Sequence, residues 1–457
     1  MSGPVSAGGA RANNNQPFLM KSSAVFTCLI FVLLFSLGQT STNGQTPTAS
    51  PSPSPVVIKA GKLLDVRNGK VSSNVFVLVE DHRIKSVGQE APGGVAVIDL
   101  SYAFVMPGMI DCHAHILGNL RDYTPGASFR MSSPKKTLWG LRNLHLWLDN
   151  GFTTLRDAGE EDLAYGQLAL RDAINQGLVQ GPRIQSAGSF VSVTGGHGDA
   201  DFFSADQELA RRPNLADTVN QIEVAVRRDI KYGADWIKLM GTGGVMDLTS
   251  DFHVQELSEE QMAKAVEIAH RAGKRVMVHA EGTAGIKAAA RAGVDTIEHG
   301  TMMDDEGAAL IAKKGIWLVP TLETFQRGVT SKSEGMDPIS LAKGKEILSY
   351  QQPAFSRALK AHLKIALGLD DAPEFLPKEL EALVNGGMTP LQALQAATVS
   401  GAELLQWSDR IGTIEPGKFA DIIAMQGDPT RDIKAVEKIG FVMKDGVVFK
   451  NDFARKD

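Results

Sequence analysis

The chain has almost no cysteine. Cys28 and Cys112 are the only two, which excludes a disulfide framework as the source of its stability. It has no long run of lysine or arginine, and its formal net charge is −5. That excludes the clustered positive surface on which nucleic-acid binding depends. Long apolar runs are missing too, with one exception, Ala24–Leu37, which follows Lys21. Its length suits the apolar core of a signal peptide and is short for a membrane-spanning helix.

Small residues in Ser36-Leu37-Gly38 stand at the spacing of a cleavage site. Residues 1–38 are therefore expected to be a signal region, with export to the periplasm or the exterior. The other reading is an uncleaved N-terminal anchor, the one membrane attachment the sequence offers. The polar stretch before Lys21 is long for such a signal, which makes Met20 an alternative start. After cleavage Cys112 would be the remaining thiol, set in a buried strand as a small apolar residue.

What is present fits a globular enzyme. Hydrophobic content is 43% and charged content 22%, both ordinary values. A length of 457 residues accommodates a barrel of about 250 residues and a smaller partner. Residues 39–55 end in Ser50-Pro-Ser-Pro-Ser-Pro55 and cannot bury enough apolar surface to order themselves, so they read as a disordered linker. From 56 to 107 short β-rich runs such as Val75-Phe-Val-Leu-Val79 alternate with turn signals such as Arg67-Asn-Gly69. The same texture returns near the end, in Ala420-Asp-Ile-Ile-Ala424. Residues 56–107 and 398–457 are thus expected to build one small β-sandwich domain from both chain ends.

Between 108 and 397 strand-like runs alternate with helical patterns, the mark of repeated βα units and a parallel sheet. Ser258-Glu-Glu-Gln261 has the form of a capping box opening one of the helices. Eight runs can be placed, the count of a (β/α)8 TIM-like barrel, so the predicted class is α/β with the barrel inserted in the β domain.

Five of those runs carry chemistry at or near their ends: His113 and His115, Lys238, His279, His299 and Asp370. The C-terminal mouth of a parallel barrel is where residues from different strands converge. Imidazole and carboxylate are ligands for zinc and similar ions, and positions i and i+2 of a strand share a face, so His113 and His115 can aim at one ion. Lys238 is the odd member, because an ammonium cannot ligate a cation. One reading makes it an ion-pair partner of Asp157 or Glu298. His197 lies in a Gly-rich loop that can bring its ring over the barrel mouth, or it is a loop histidine bonded to nearby backbone. Arg156 and Asp157 could bind substrate, but the favoured expectation is that they pair with each other. His145, His270 and His362 fall in helical stretches and His82 in the β domain, where all four are expected to be solvated.

Met106-Pro-Gly-Met-Ile-Asp-Cys-His-Ala-His115, Thr153-Thr-Leu-Arg-Asp157, Thr194-Gly-Gly-His-Gly-Asp199, Ile237-Lys-Leu-Met-Gly-Thr-Gly-Gly244, Ile297-Glu-His-Gly300 and Ile411-Gly-Thr-Ile-Glu-Pro-Gly-Lys-Phe-Ala-Asp421 resemble the amidohydrolase superfamily. Within it the likeness is to the branch with imidazolonepropionases and secreted or membrane-associated Xaa-Pro, Xaa-Lys and Xaa-Arg dipeptidases. The resemblance runs from Val56 to Lys450. It implies that Lys238 is carboxylated by carbon dioxide and that its carbamate bridges two divalent metal ions, zinc in the first instance. His113, His115 and Asp370 would hold one ion, and His279 and His299 the other. Asp370 would also be the catalytic base and acid, and His197 would contact the substrate carbonyl or carboxylate.

The substrate so implied is a small amide, a dipeptide or N-acyl amino acid, and homo-oligomers are common among such relatives. Two alternatives stay open: a cyclic amidase of imidazolonepropionase type, and a non-catalytic scaffold that keeps the barrel. Three departures from the superfamily pattern bear on the substrate. Asp370 follows Gly-Leu where relatives have Gly-Thr or Gly-Ser, and a second acid, Asp371, comes next. The loop Ala372-Pro-Glu-Phe-Leu-Pro377 is short and lacks a histidine, and Glu281 stands where relatives often show histidine, a change expected to alter preference for substrate charge.

Overall fold

The computed structural model describes residues 54–204, 206–207, 212–330 and 335–454. The expected signal region and residues 39–53 of the expected linker lie outside the described residues. Fifteen strands are found among the described residues, in two sheets. The first has seven strands, in the order β15(Val447–Asn451), β14(Ile439–Lys444), β13(Ile422–Met425), β4(Ala96–Pro107), β1(Val56–Asp65), β2(Lys70–Glu80) and β3(Arg83–Gly88). Strands from both ends of the chain thus share one sheet. Only β1 and β4 run parallel. β2 shows why these residues form a strand: Val75, Val77 and Val79 are buried in the core of the sheet while Phe76 and Leu78 alternate outward. The sheet's hydrogen bonding is continuous, strands of both halves share one core, and β3 meets the segment before β13. There the Ile84 N–H donates to the Lys418 carbonyl and the Ala420 N–H to the His82 carbonyl, both at 2.9 Å.

The second sheet is the barrel. Its eight parallel strands run in sequence order: β5(Met109–Ala114), β6(Phe152–Asp157), β7(Arg183–Val191), β8(Trp236–Met240), β9(Arg275–Ala280), β10(Thr296–His299), β11(Trp317–Val319) and β12(Lys364–Ile365). Helices follow the strands, among them Ser133–Asp149 after β5, Val219–Lys231 after β7 and Glu259–Arg271 after β8. Every residue of β5, β6 and β8 is buried, since a parallel strand covered on both faces needs apolar residues on each. The expected capping box is formed: the Gln261 N–H donates to the Ser258 hydroxyl, and the Gln261 side chain accepts from the Ser258 N–H.

The last strand is shorter than its apolar run, because after Ile365 the chain peels toward β5 and closes the ring. The Cys112 N–H donates to the Leu367 carbonyl at 2.8 Å, and the Asp370 N–H to the His113 carbonyl at 2.9 Å. Ile110, Cys112, Trp236, Met277 and Trp317 fill the interior toward the strand starts, packed on Ala402, Leu404 and Ile411. Cys112 is a sealed part of that floor, and burial pushes its thiol up to about 12.

The barrel and the first sheet are tied by charge. Arg183 of β7 pairs with Asp421 at 2.7 Å and also with Asp445. His82, expected to be solvated, is half-buried and its Nδ1–H donates to the Asp445 carbonyl at 2.8 Å. His362 lies just past the helix Pro338–Lys360, not within it, at φ 53°.

Helix Val219–Lys231 carries a buried acid, Asp229, which accepts from the Tyr165 hydroxyl at 2.8 Å and the Ser189 N–H at 3.2 Å while its other oxygen is sealed without a partner. Burial lifts its pKa to about 7, against about 4 for an unfolded aspartate. Between these values the unfolded chain gives up a proton that the folded chain keeps, so this group's contribution to stability falls as pH rises from about 4 to 7. Asp229→Asn keeps the acceptor and removes the titration. In urea unfolding the variant should therefore gain on the parent between pH 4.5 and pH 8, and an unchanged difference would contradict the assignment.

Candidate active site

The strand ends are bent to aim their side chains. His299 ends β10 at φ 69°, Asp370 follows β12 at φ 63°, and Thr321 follows β11 at φ 46°. A non-glycine residue in this left-handed region carries strain that persists only where the surroundings enforce it. Five histidine rings form a continuous row: His115, His113, His299, His279 and His197. Successive ring centroids are 5.4, 5.1, 4.7 and 4.3 Å apart. Asp370 caps one end, with Oδ1 3.1 Å from His115 Nε2 and 3.6 Å from His113 Nε2. Asp371 turns away, to Arg327 and to the Tyr123 hydroxyl at 2.9 Å. Of the two adjacent acids, Asp370 is the one that faces the histidines.

Each ring is held from behind. The Nδ1–H of His113 donates to Glu298 and that of His115 to the Gly159 carbonyl, both at 2.7 Å. His299 Nδ1 shares a hydrogen bond with the Thr321 hydroxyl at 2.7 Å. His279 is the reverse case: its Nε2–H donates to the Gly243 carbonyl at 3.0 Å, which leaves Nδ1 for the site. Such partners fix tautomer and ring orientation. Gly368 allows the closing segment to pass His113, since a Cβ there would lie 2.6 Å from the histidine's own.

Beneath this row lies a fully buried ion pair. Arg156 holds both Glu298 oxygens, at 2.9 and 3.0 Å, and also reaches the Cys112 carbonyl and the Thr296 hydroxyl. The expected pairing of Arg156 with Asp157 does not form, because successive strand residues face opposite ways. Asp157 instead accepts from the Ser186 hydroxyl. Lys238 is buried and lines the same cavity as the histidines. Among the described residues it makes no ion pair with Asp157 or Glu298, the latter being taken by Arg156 and His113.

These residues fit a cation. His113, His299 and Asp370 offer ligand atoms within 4.8 Å of one another, as do His279, Glu281 and His299, and also His115, Asp157 and Glu160. Burial holds His113, His279 and His299 well below the usual imidazole range, in the neutral form that a metal needs. For His115 burial is outweighed by the hydrogen bond to Asp370, which lifts it to about 9. Burial brings Lys238 down to about 8, which makes its neutral amine, the form that adds carbon dioxide, more accessible.

His197 closes the row from its loop. Its Nδ1–H donates to Asp247, and its backbone N–H is held by Glu256. Asp247 is fixed in turn by Lys343, whose amine also reaches the carbonyls of Gly244, Asp247 and Ser250. Gly244 must be glycine for this ring to fit, since a Cβ there would lie 2.1 Å from its carbon. Glu281, on the same face as His279, is sealed and does not line the cavity, and burial pushes it up to about 8. The expected effect of this position on substrate charge therefore does not act by direct contact. His145 and His270 lie in helices away from the cavity.

The site opens into a cavity of about 340 Å³ with Leu117, Leu120, Met131, Phe190 and Phe325 on its walls. The sequence pointed to the residues that converge here but not to their supports. Lys343 and Asp247 are 96 positions apart and Arg156 and Glu298 are 142 apart. No local pattern marks such partners.

Fold and site together fit a barrel hydrolase, with these side chains gathered at the C-terminal mouth. The chain belongs to the amidohydrolase family, whose profile matches residues 104–449, and it is a hydrolase of carbon–nitrogen bonds. It is similar to the ochratoxinase of Aspergillus niger, 33% identical over 431 residues that cover 88% of each chain. With the imidazolonepropionase of Pseudomonas fluorescens it shares 26% over 410 residues, 79% of this chain and 92% of the relative. Among solved structures it resembles a Xaa-Pro dipeptidase with methionine bound in its active site. That likeness has a TM-score of 0.81 and 32% identity, and covers 87% of this chain and all of the other.

Proposed function

We propose that the chain is an exported, binuclear metal-dependent amidohydrolase that cleaves the amide or peptide bond of a dipeptide or N-acyl amino acid. The observation that carries this reading is the convergence of His113, His115, His279, His299, Lys238 and Asp370 around one apolar-walled cavity. In this reading His113, His115 and Asp370 would hold one ion and His279 and His299 the other, with carboxylated Lys238 as a further ligand. Two such ions, zinc by donor type, would supply Lewis acidity and an activated water at neutral pH. Asp370, held ionised by His113 and His115 against the effect of burial, takes the proton of the attacking water and hands it to the leaving nitrogen. His197, whose charged form Asp247 favours against the effect of burial, donates to the substrate carbonyl oxygen as negative charge develops there. The glutamate behind His113 keeps that ring in register throughout.

The family, the ochratoxinase and the dipeptidase likeness support an amide substrate. The scaffold alternative requires lost ligands, and all six residues are present. A library of dipeptides, N-acyl amino acids and imidazolonepropionate, assayed on the protein without its N-terminal segment, tests the reading. A chelator should abolish hydrolysis and zinc with bicarbonate restore it, with little recovery when carbon dioxide is excluded during reloading. Hydrolysis that survives full metal removal, or a zinc-loaded protein that cleaves no amide, would overturn it.

A further inference from the structure

Three lysine or arginine side chains line the cavity: Lys136, Lys238 and Arg327. Lys238 belongs to the reactive cluster, and Arg327 is engaged by Asp371 and by the Tyr123 hydroxyl. Lys136 stands apart. It is only 7% exposed, yet among the described residues its amine makes neither an ion pair nor a hydrogen bond. Its aromatic neighbour is the Phe129 ring, 6.0 Å from Nζ. It also sits near the start of helix Ser133–Asp149, the end at which the helix dipole disfavours a cation. A lysine set this deep, with its amine on the cavity and without a partner among the described residues, is uncommon.

The acids around the same cavity are already engaged. Glu160 accepts the N–H groups of Ile116 and Leu117, Glu161 the Ser128 hydroxyl, and Asp122 the Thr124 hydroxyl at 2.5 Å. Much of the remaining wall is apolar, including Leu117, Leu120, Met131, Val245, Phe325 and Leu341. The chamber therefore combines one uncommitted positive charge with space for a large apolar group, beside the row of histidines.

We propose that Lys136 is the anchor for a free carboxylate on the substrate, which makes the preferred substrates N-acyl or aminoacyl derivatives of large apolar amino acids with an unblocked carboxyl group. The inference rests on the amide-hydrolase reading above and narrows it. A charge-assisted hydrogen bond from Lys136 holds the carboxylate, the apolar walls take the side chain, and the amide is left at the histidines. Lys136 acts in binding and takes no part in proton transfer.

The test compares N-acetyl-L-phenylalanine and N-acetyl-L-leucine with their primary carboxamides, on the zinc-loaded parent and on Lys136→Met and Lys136→Arg. The parent should favour the free acids by about 100-fold in kcat/KM, because a carboxylate pairs with the buried cation and a neutral amide does not. In Lys136→Met that preference should collapse to about threefold or less, through KM and with little change in kcat. Lys136→Arg should keep part of it. A parent without preference, or a preference that survives in Lys136→Met, overturns the proposal. If the zinc-loaded parent cleaves neither type nor any dipeptide of the library, the amide reading itself fails. Calorimetric binding of L-phenylalanine against L-phenylalaninamide then decides on Lys136: selective binding of the acid, lost in Lys136→Met, upholds the anchor, and equal binding refutes it.

Discussion

Asp370→Asn should lower kcat by about 1,000-fold, within the range for loss of a residue that both takes and returns a proton. Asparagine fills the same space and can still accept from His115, so the fold should survive. The Asp370 N–H bond to the His113 carbonyl belongs to the backbone and is untouched. Far-UV circular dichroism and melting should stay near the parent's while turnover is lost. Metal analysis on the same sample separates lost chemistry from lost ligand: if zinc content holds and activity falls, the proton-transfer role stands. Turnover above a tenth of the parent's would remove Asp370 from the mechanism. Asp371 offers the internal control. Its partners are Arg327 and Tyr123, so Asp371→Asn should act mainly on substrate binding.

The second large effect is expected from a residue that never meets solvent. Arg156→Met should cost about 3–5 kcal/mol in denaturant unfolding, because it leaves the Glu298 carboxylate buried without its counter-charge. It should also lower the protein's zinc content, since the same carboxylate orients His113. Arg156→Lys restores a charge but not the fork that grips both carboxylate oxygens, so an intermediate loss is expected. A Met variant that unfolds at the parent's midpoint would show that the pair contributes nothing net. A variant destabilised but still fully loaded with zinc would cut the proposed link between Glu298 and the site.

Both predictions bear on what a reader of the sequence can and cannot see. His113, Lys238, His279, His299 and Asp370 are legible because a strand covered on both faces leaves an apolar run in the sequence, and polar groups at the ends of such runs stand out. The capping box at Ser258 is legible for a similar reason, since its partners are three residues apart. Glu298 is not legible as a support for His113: its place in β10 predicts burial but not which side chain it meets across the barrel. Arg156 was expected to pair with its neighbour Asp157, and strand alternation defeats that. The shortness of β12 was hidden too, because the run to Asp370 continues past the ladder to close the ring with β5. The meeting of β3 with the segment before β13 depends on contacts between residues near 84 and 418, which no periodicity connects.

One consequence concerns the order in which the molecule can be completed. In the small sheet β4 lies between β1 and β13, with Met106 paired to Ile423. On a growing chain the inner edge of β4 therefore stays without a neighbour until the whole barrel has been synthesised and β13 follows. An uncovered strand edge is a template for pairing with other molecules, and such long-range closure is slow. Nascent or C-terminally clipped chains should for that reason be the forms most prone to self-association, with the exposed flank of β4 as the sticking point.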